Sequence, residues 1–159
     1  KNLTVEREYY ENVLYSTELA RDINTIAEIE SELGLIEEKK NNKKSDKILN
    51  VEKININGYD VFIGKNNKQN DYIVSKLAKD EDIWFHTRLC AGSHILLKTS
   101  GKEPDGEILF ECAKLARKYS SAKQPSKVAV IYTKAKNLKK PPSSPLGYVT
   151  YKNEKEILI

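Results

Sequence analysis

Val51-Glu-Lys-Ile-Asn-Ile-Asn-Gly-Tyr-Asp-Val-Phe-Ile63 places two apolar-rich runs on either side of Asn57-Gly58. Two such runs joined by Asn-Gly read as a β-hairpin, because a tight primed turn needs positive φ at both central residues. A hairpin here argues against a simple doubly wound sheet, whose parallel strands need crossover helices between them. Beyond Gly64 the spacing predicts a short helix over residues 70–79, with Ile73, Val74 and Leu77 inward. Strands follow over 82–87 and 94–99, joined by the loop 88–93. A helix over 105–121 carries Ile108, Leu109, Cys112, Ala113, Leu115 and Ala116 on one face. Lys127-Val-Ala-Val-Ile-Tyr-Thr133 reads as a buried strand, residues 134–145 as a basic proline-rich loop, and residues 147–151 and 156–159 as a terminal pair of strands. The expected fold is α+β, a mostly antiparallel mixed sheet with packed helices.

An N-terminal helical arm precedes this body. Val5, Tyr9 and Val13, then Ile23, Ile26, Ala27, Glu30 and Leu33, recur at helical spacing. A break near residues 20–22 gives a helical hairpin or a coiled-coil end, with Asp22 as N-cap of the second piece and Gly34 as its stop. The expected division is residues 1–36 for the arm, 37–47 for a polar linker (Glu-Glu-Lys-Lys-Asn-Asn-Lys-Lys-Ser-Asp-Lys) and 48–159 for the body. The chain opens on Lys1, so it reads as a piece of a longer protein.

Charge separates the two parts. Residues 1–40 hold five Lys/Arg and ten Asp/Glu, whereas residues 41–159 hold 22 and 13, a balance of −5 against +9. A basic body with an acidic arm suggests that the body meets a polyanion; a lysine-rich solvated surface is the plainer reading. No stretch approaches the ~20 apolar residues of a membrane span, and no signal sequence opens the chain, so no membrane is expected. Cys90 and Cys112 form no CxxC pair, which suits a reducing cytosol.

The densest polar chemistry lies just after the hairpin. Gly64-Lys-Asn-Asn-Lys-Gln-Asn70 leaves a strand and enters a helix. Gly64 permits close backbone approach, Lys65 and Lys68 supply charge, and Asn66, Asn67, Gln69 and Asn70 supply amides able to read bases, sugars or phosphates. The spacing is not that of a Walker loop, so nucleotide hydrolysis is unsupported. The same amides also suit turn and N-cap bonds.

Trp84 and Phe85 take opposite faces of one strand, so one is expected in the core and the other is a candidate stacking platform. His86 shares a face with Trp84. His86 and His94 flank a loop holding Cys90, a spacing that admits a His/Cys/His metal site or a Cys–His nucleophile. Structural zinc would need a fourth ligand that the chain lacks, and nothing supplies an evident general acid. The preferred reading has both histidines bonding backbone or phosphate, with no metal, no cofactor and no catalytic set. Arg88 and Lys98, with Lys123, Lys127, Lys134, Lys136, Lys139 and Lys140, form a candidate backbone-tracking patch.

Gly64-Lys65-Asn66-Asn67-x-Gln69-Asn70, Trp84-Phe85-His86, Ser93-His94 and the tail Lys139-Lys-Pro-Pro-Ser-Ser-Pro-Leu-Gly-Tyr-Val-Thr-Tyr151 resemble, in order and rough spacing, the NFACT-R domain. That domain closes the NFACT ribosome quality-control factors, including bacterial RqcH proteins also labelled fibronectin-binding protein A. The resemblance covers about residues 48–159, and the arm matches the preceding helical region more loosely. It implies a non-enzymatic, cytoplasmic, ribosome-associated RNA-binding module. Its parent would bind tRNA and the large ribosomal subunit to support template-free tailing of stalled chains. It implies an RNA-binding set of Gly64, Lys65, Asn66, Asn67, Lys68, Gln69, Asn70, Trp84, His86, Arg88, Ser93 and His94. The fibronectin label leaves a cell-surface adhesin as the alternative, and a metal-dependent hydrolase on His86 and His94 as a third reading.

Overall fold

In the computed structural model, which describes residues 3–35, 49–123 and 126–159, Asn57 and Gly58 adopt φ of +48° and +88°. They join β1 (Glu52–Ile56) to β2 (Tyr59–Ile63) in the register Ile56↔Tyr59 to Glu52↔Ile63. The Gly58 amide donates to Asn55 Oδ1 at 3.0 Å, closing the turn from the strand side. Four further strands complete the sheet: β3 (Ile83–Thr87), β4 (Ile95–Leu97), β5 (Ala129–Lys134) and β8 (Lys155–Leu158). Their order is β1-β2-β4-β3-β5-β8, and every neighbouring pair is antiparallel. The fold is therefore α+β as expected.

One expected pairing is corrected. The terminal strands do not pair with each other: β7 (Thr150–Tyr151) joins β6 (Leu138–Lys139) in a separate two-stranded ribbon. Strand β8 instead runs along the edge of β5, Val130 opposite Ile157. The cause is non-local, since β5 offers a longer apolar edge than β7 does.

Alternation along the strands divides the core. Val61, Ile63, Ile83, Phe85, Ile95, Leu97 and Val130 face α4 (Gly106–Lys118), which contributes Ile108, Cys112, Ala113 and Ala116. Asp105 caps α4 by accepting the Ile108 amide at 3.0 Å. The opposite face carries Phe62, Trp84, His86 and Leu96. Part of it packs under α3 (Asn67–Tyr72) and the π-helical turn Ile73–Leu77, with Ile73 fully buried. Helix α3 starts three residues before the expected position, because Asn66 rather than a later residue is its N-cap, accepting from the Gln69 amide at 2.8 Å. Trp84 and Phe85 are both buried, so the expectation that one of them presents a bare platform is corrected. The sheet is covered on both faces here.

The arm folds as α1 (Leu3–Leu19) and α2 (Ile23–Glu32). Asp22 caps α2, accepting from the amide and hydroxyl of Thr25. Gly34, at φ +71°, ends it, with Gly34 N–H donating to Ser31 O and Leu35 N–H to Glu30 O, a Schellman arrangement. The buried face of α2 differs from the expected one: Thr25 and Ile29 turn inward, while Ile23, Ile26 and Leu33 are exposed. The acidic side chains of α2 select that face, because Glu28 and Glu32 bond to the amide loop of the body. The expected linker at 37–47 lies outside the described residues. Among the described residues no helix is long and apolar enough to cross a membrane.

Asp82 ties three of these elements together. It accepts the Lys79 and Thr99 amides at 2.9 and 3.0 Å and pairs with Lys98, whose Nζ also donates to Leu77 O at 2.7 Å. Lys98 thus holds the end of the π turn and is not part of an outward basic patch. Asp82→Ala would strand the largely buried ammonium and two amides, so we expect a loss of about 3–5 kcal/mol. Urea denaturation would read it as a lower midpoint at unchanged slope.

Candidate functional site

The polar loop is built around Gly64. A Cβ there would lie 2.1 Å from Asn70 Oδ1, so only glycine lets the loop close on α3. Asn70 Oδ1 accepts the His94 amide at 3.1 Å, while Gly64 N–H donates to His94 O at 3.0 Å. This joins α3 to the β2–β4 edge. Gln69 Oε1 accepts the Lys65 amide at 3.0 Å.

The remaining loop groups meet the arm. Glu28 Oε2 accepts from Asn66 Nδ2 at 2.8 Å and from Gln69 Nε2 at 2.9 Å. Glu32 Oε1 accepts from Asn67 Nδ2 at 3.1 Å, and Lys68 Nζ donates to Ser31 Oγ at 2.7 Å. Asn66, Asn67, Gln69 and Asn70 are consequently buried. Burial raises the Glu32 carboxyl above its usual range, opposed by hydrogen bonds from Tyr9 and Asn67. Burial also raises the Tyr9 phenol, with the Glu32 contact adding to it. Carboxylates of the arm thus take up side-chain amide donors of the loop. Lys65 pairs with Glu52.

The loop after β3 is fixed at both ends. Ser93 N–H donates to Tyr119 O at 2.9 Å and Ser121 N–H to Ala91 O at 2.8 Å, anchoring residues 91–93 to the end of α4. Gly92 N–H donates to Asn12 Oδ1 of α1 at 3.2 Å, a second attachment of the arm. Arg88 pairs with Glu154 and Glu156. Lys134 and Lys136 both pair with Glu81, holding its carboxyl down to about 2, and Lys140 pairs with Asp71. Lys123, Lys127 and Lys139 have no ion-pair partner among the described residues. The basic patch is smaller than the lysine count suggests.

His86 and His94 do come together. Their ring centroids are 5.3 Å apart and nearly perpendicular; Trp84 stacks parallel to His86 at 5.7 Å and meets His94 edge-on at 5.3 Å. His86 Nε2 lies 3.3 Å from Gly92 O. Burial lowers both imidazoles, His94 well below the usual range with His86 adding to the effect. Cys112 sits on the opposite face, its thiol pushed up to about 12 by burial. Among the described residues no group of three or more His, Cys, Asp or Glu could hold a metal ion.

These rings line one wall of a cleft of about 430 Å³. Its other walls are α1, through Thr4, Arg7, Glu8 and Asn12, and the proline–glycine segment, through Pro145, Gly147 and Tyr148. Gly147, at φ +78°, brings that segment against α3, where an added Cβ would lie 3.3 Å from Asn67 Oδ1. The α1 wall and the clamping carboxylates Glu28 and Glu32 are not legible as site residues in the sequence, because the partners of the two carboxylates lie 35–41 positions away.

The histidine pair yields a pH dependence with a fixed sign. Unfolded imidazoles protonate near pH ~6.5, whereas the buried pair stays neutral below that. The unfolded chain then binds more protons, so stability falls as pH drops through the unfolded value and until the folded pKa values are reached. We expect the denaturation midpoint to fall between pH 7 and about 5.5, with a shallower slope in His94→Gln. In NMR the His94 ring protons should not titrate until well below pH ~6.5.

Comparison with known proteins matches the body of this structure. The family described as NFACT protein RNA binding domain matches residues 49–153. The Rqc2 homolog RqcH of Bacillus subtilis is 34% identical over 161 aligned residues, covering 97% of this chain and 28% of that protein. Coiled-coil domain-containing protein 25 of Bos taurus is 29% identical, covering 67% of this chain and 53% of its own length. The C-terminal structure of the fibronectin/fibrinogen-binding protein from Streptococcus suis superposes with a TM-score of 0.84 at 30% identity, covering 98% of this chain and 64% of that one. The chain thus spans about a quarter of the Bacillus relative's length. The glycine-hinged amide loop, the Trp–His wall and the matched span together make this chain a member of the NFACT RNA-binding domain family.

Proposed function

We propose that this chain is the RNA-binding module of a ribosome-associated quality-control factor. In this reading the parent protein binds tRNA and the large ribosomal subunit in the cytoplasm to support template-free tailing of stalled nascent chains. Residues 48–159 form the module and residues 1–36 the end of a helical region before it. The observation that carries the reading is the family match over residues 49–153, together with RqcH-named relatives. The charge separation supports it: the net charge of the body is positive and that of the arm negative. Peptide transfer in such a system belongs to the ribosome, so positioning contacts suffice and the chain needs no catalytic role of its own.

The groups we assign to the RNA surface lie on the amide loop and the loop after β3. Lys65 and Lys68 stand at the partly exposed rim of the loop, where phosphates can compete for them. Gly64, Asn66, Asn67, Gln69 and Asn70 shape that rim from beneath, and Ser93 fixes the neighbouring loop. Arg88, half-exposed between Glu154 and Glu156, is a second phosphate contact. Trp84, His86 and His94 belong to the cleft rather than to the phosphate surface.

The test is tRNA binding by fluorescence anisotropy across a salt series, for the wild type and for Lys65→Ala/Lys68→Ala. The expected result is affinity that falls with salt, and a double mutant that binds more weakly with a shallower slope, by about one to two released counterions. Absence of binding at low salt would overturn autonomous tRNA recognition by this domain. A second reading, adhesion, draws on the similarity to the fibronectin/fibrinogen-binding protein. Its mark would be salt-tolerant retention on immobilised fibronectin, which the RNA reading does not produce.

A further inference from the structure

The arm presents an apolar stripe that the fold leaves uncovered. On α1, Leu3, Tyr10 and Leu14 lie on one side of the helix, and on α2 so do Ile23, Ile26 and Leu33. All six are exposed, Leu3 to 77% and Ile23 to 84%. Their spacings of three, four and seven positions are those of a helix that meets another helix. With Leu35 they make seven of the eleven large exposed hydrophobics among the described residues, in about a quarter of the described chain. Scattered exposed leucines need no explanation, but a stripe carried over two consecutive helices marks a contact surface. The inner faces of these helices are already engaged, with Val13 and Ser16 of α1 and Thr25 and Ile29 of α2 buried. Tyr10 is held by an edge-to-face contact with Tyr9 at 5.3 Å, and Tyr9 hydrogen-bonds Glu32.

Charge selects the occupant. The two helices carry seven glutamates against one arginine, and that residue, Arg7, lies beside the stripe paired with Glu11 at 2.7 Å. Glu6 and Glu18 flank the α1 stripe, and Glu30 sits within the α2 stripe. A second copy of the arm would bring the same excess of glutamate against it, and an RNA backbone or an anionic lipid surface would be repelled for the same reason. The basic stretch 39–47 of this chain holds no apolar residue, so it cannot fill an apolar stripe. A helix with an aliphatic face bordered by lysines or arginines meets both requirements at once.

We propose that the outer face of the arm docks a basic amphipathic helix from outside this chain. Leu3, Tyr10, Leu14, Ile23, Ile26 and Leu33 take its apolar face, and Glu6, Glu18 and Glu30 pair with its flanking cations. This surface is separate from the lysines of the body, so it stands whether or not the RNA reading does.

The probe is a synthetic, fluorescently labelled peptide of leucines and lysines at amphipathic helical spacing, titrated with the full chain and read by anisotropy. We expect saturable one-to-one binding that weakens with salt, and no binding of a counterpart in which every lysine is glutamate. Leu14→Ser/Ile26→Ser removes two apolar groups at exposed positions, so the fold persists while affinity falls roughly tenfold or more. Glu6→Gln/Glu18→Gln/Glu30→Gln should weaken binding and flatten its salt dependence. Phe110→Ser, which removes an exposed hydrophobic on α4, should change nothing. Absence of peptide binding would overturn the inference. Undiminished binding by Leu14→Ser/Ile26→Ser would overturn it in favour of plain charge attraction, and equal binding of the glutamate peptide in favour of unselective apolar adhesion. Sedimentation showing a dimer that the double variant disperses would assign the face to a second copy and overturn it too.

Discussion

The contact on which this architecture turns is a carboxylate–amide clamp. Glu28 accepts from Asn66 and Gln69, Glu32 from Asn67, all within 3.1 Å, and all three amide side chains are buried. An ionised carboxylate out of bulk water is tolerated only when its lone pairs are taken, and side-chain amides with fixed geometry satisfy that need. The clamp therefore has two consequences. It seats α2 on α3, and it holds α1 across the sheet, where α1 becomes the third wall of the cleft. Without the arm Asn66, Asn67 and Gln69 would lose their carboxylate partners, and without the loop the acidic helix would have no reason to turn Glu28 and Glu32 inward.

The clamp also explains which parts of the molecule are legible in the sequence. The β1–β2 hairpin is readable because Asn57-Gly58 encodes its turn within two residues. The ends of α2 are readable for the same reason, since Asp22 and Gly34 act on their nearest neighbours. The buried face of α2 is not. Ile23, Ile26 and Leu33 make the better apolar stripe, yet Thr25, Glu28, Ile29 and Glu32 turn toward the body. A hydrophobic pattern ranks faces by transfer free energy, and here charge-assisted hydrogen bonds to a distant loop outrank it. The β7 and β8 pairings are illegible on similar grounds, because each strand's partner lies across a loop rather than beside it in sequence.

The amide loop is attractive as a ligand surface because polar groups so dense need partners. The need is real, and its first answer is intramolecular. Asn66 is an N-cap, Asn70 is the bridge to His94, and Gly64 is the space that Asn70 requires. Residue types alone do not say whether their partner is a ligand or the chain itself. The two histidines illustrate the converse. Their spacing suggests metal or thiol chemistry with Cys90, but the strand pairing sets their rings against Trp84, and although Cys90 lines the same cleft, no group of three or more His, Cys, Asp or Glu among the described residues could hold a metal ion.

Charge distribution follows the same logic of near partners first. Lys134 and Lys136 converge on Glu81, Lys140 reaches Asp71, Lys65 reaches Glu52 and Lys98 is held by Asp82. Exposed pairs of this kind contribute little to stability, and water or an incoming phosphate displaces them at small cost. Lys98 differs because its carboxylate partner is buried and fixed by two amides, so it does not exchange. The body thus carries two populations of cation, one structural and one exchangeable. The exchangeable set includes Lys65, Lys134, Lys136 and Lys140, whose carboxylate partners an incoming anion would have to replace. Because the competing anions include carboxylates of the body itself, a lysine–phosphate bond stabilises the complex only by the difference between two ion pairs. Any affinity drawn from phosphates at these lysines would then be modest per residue.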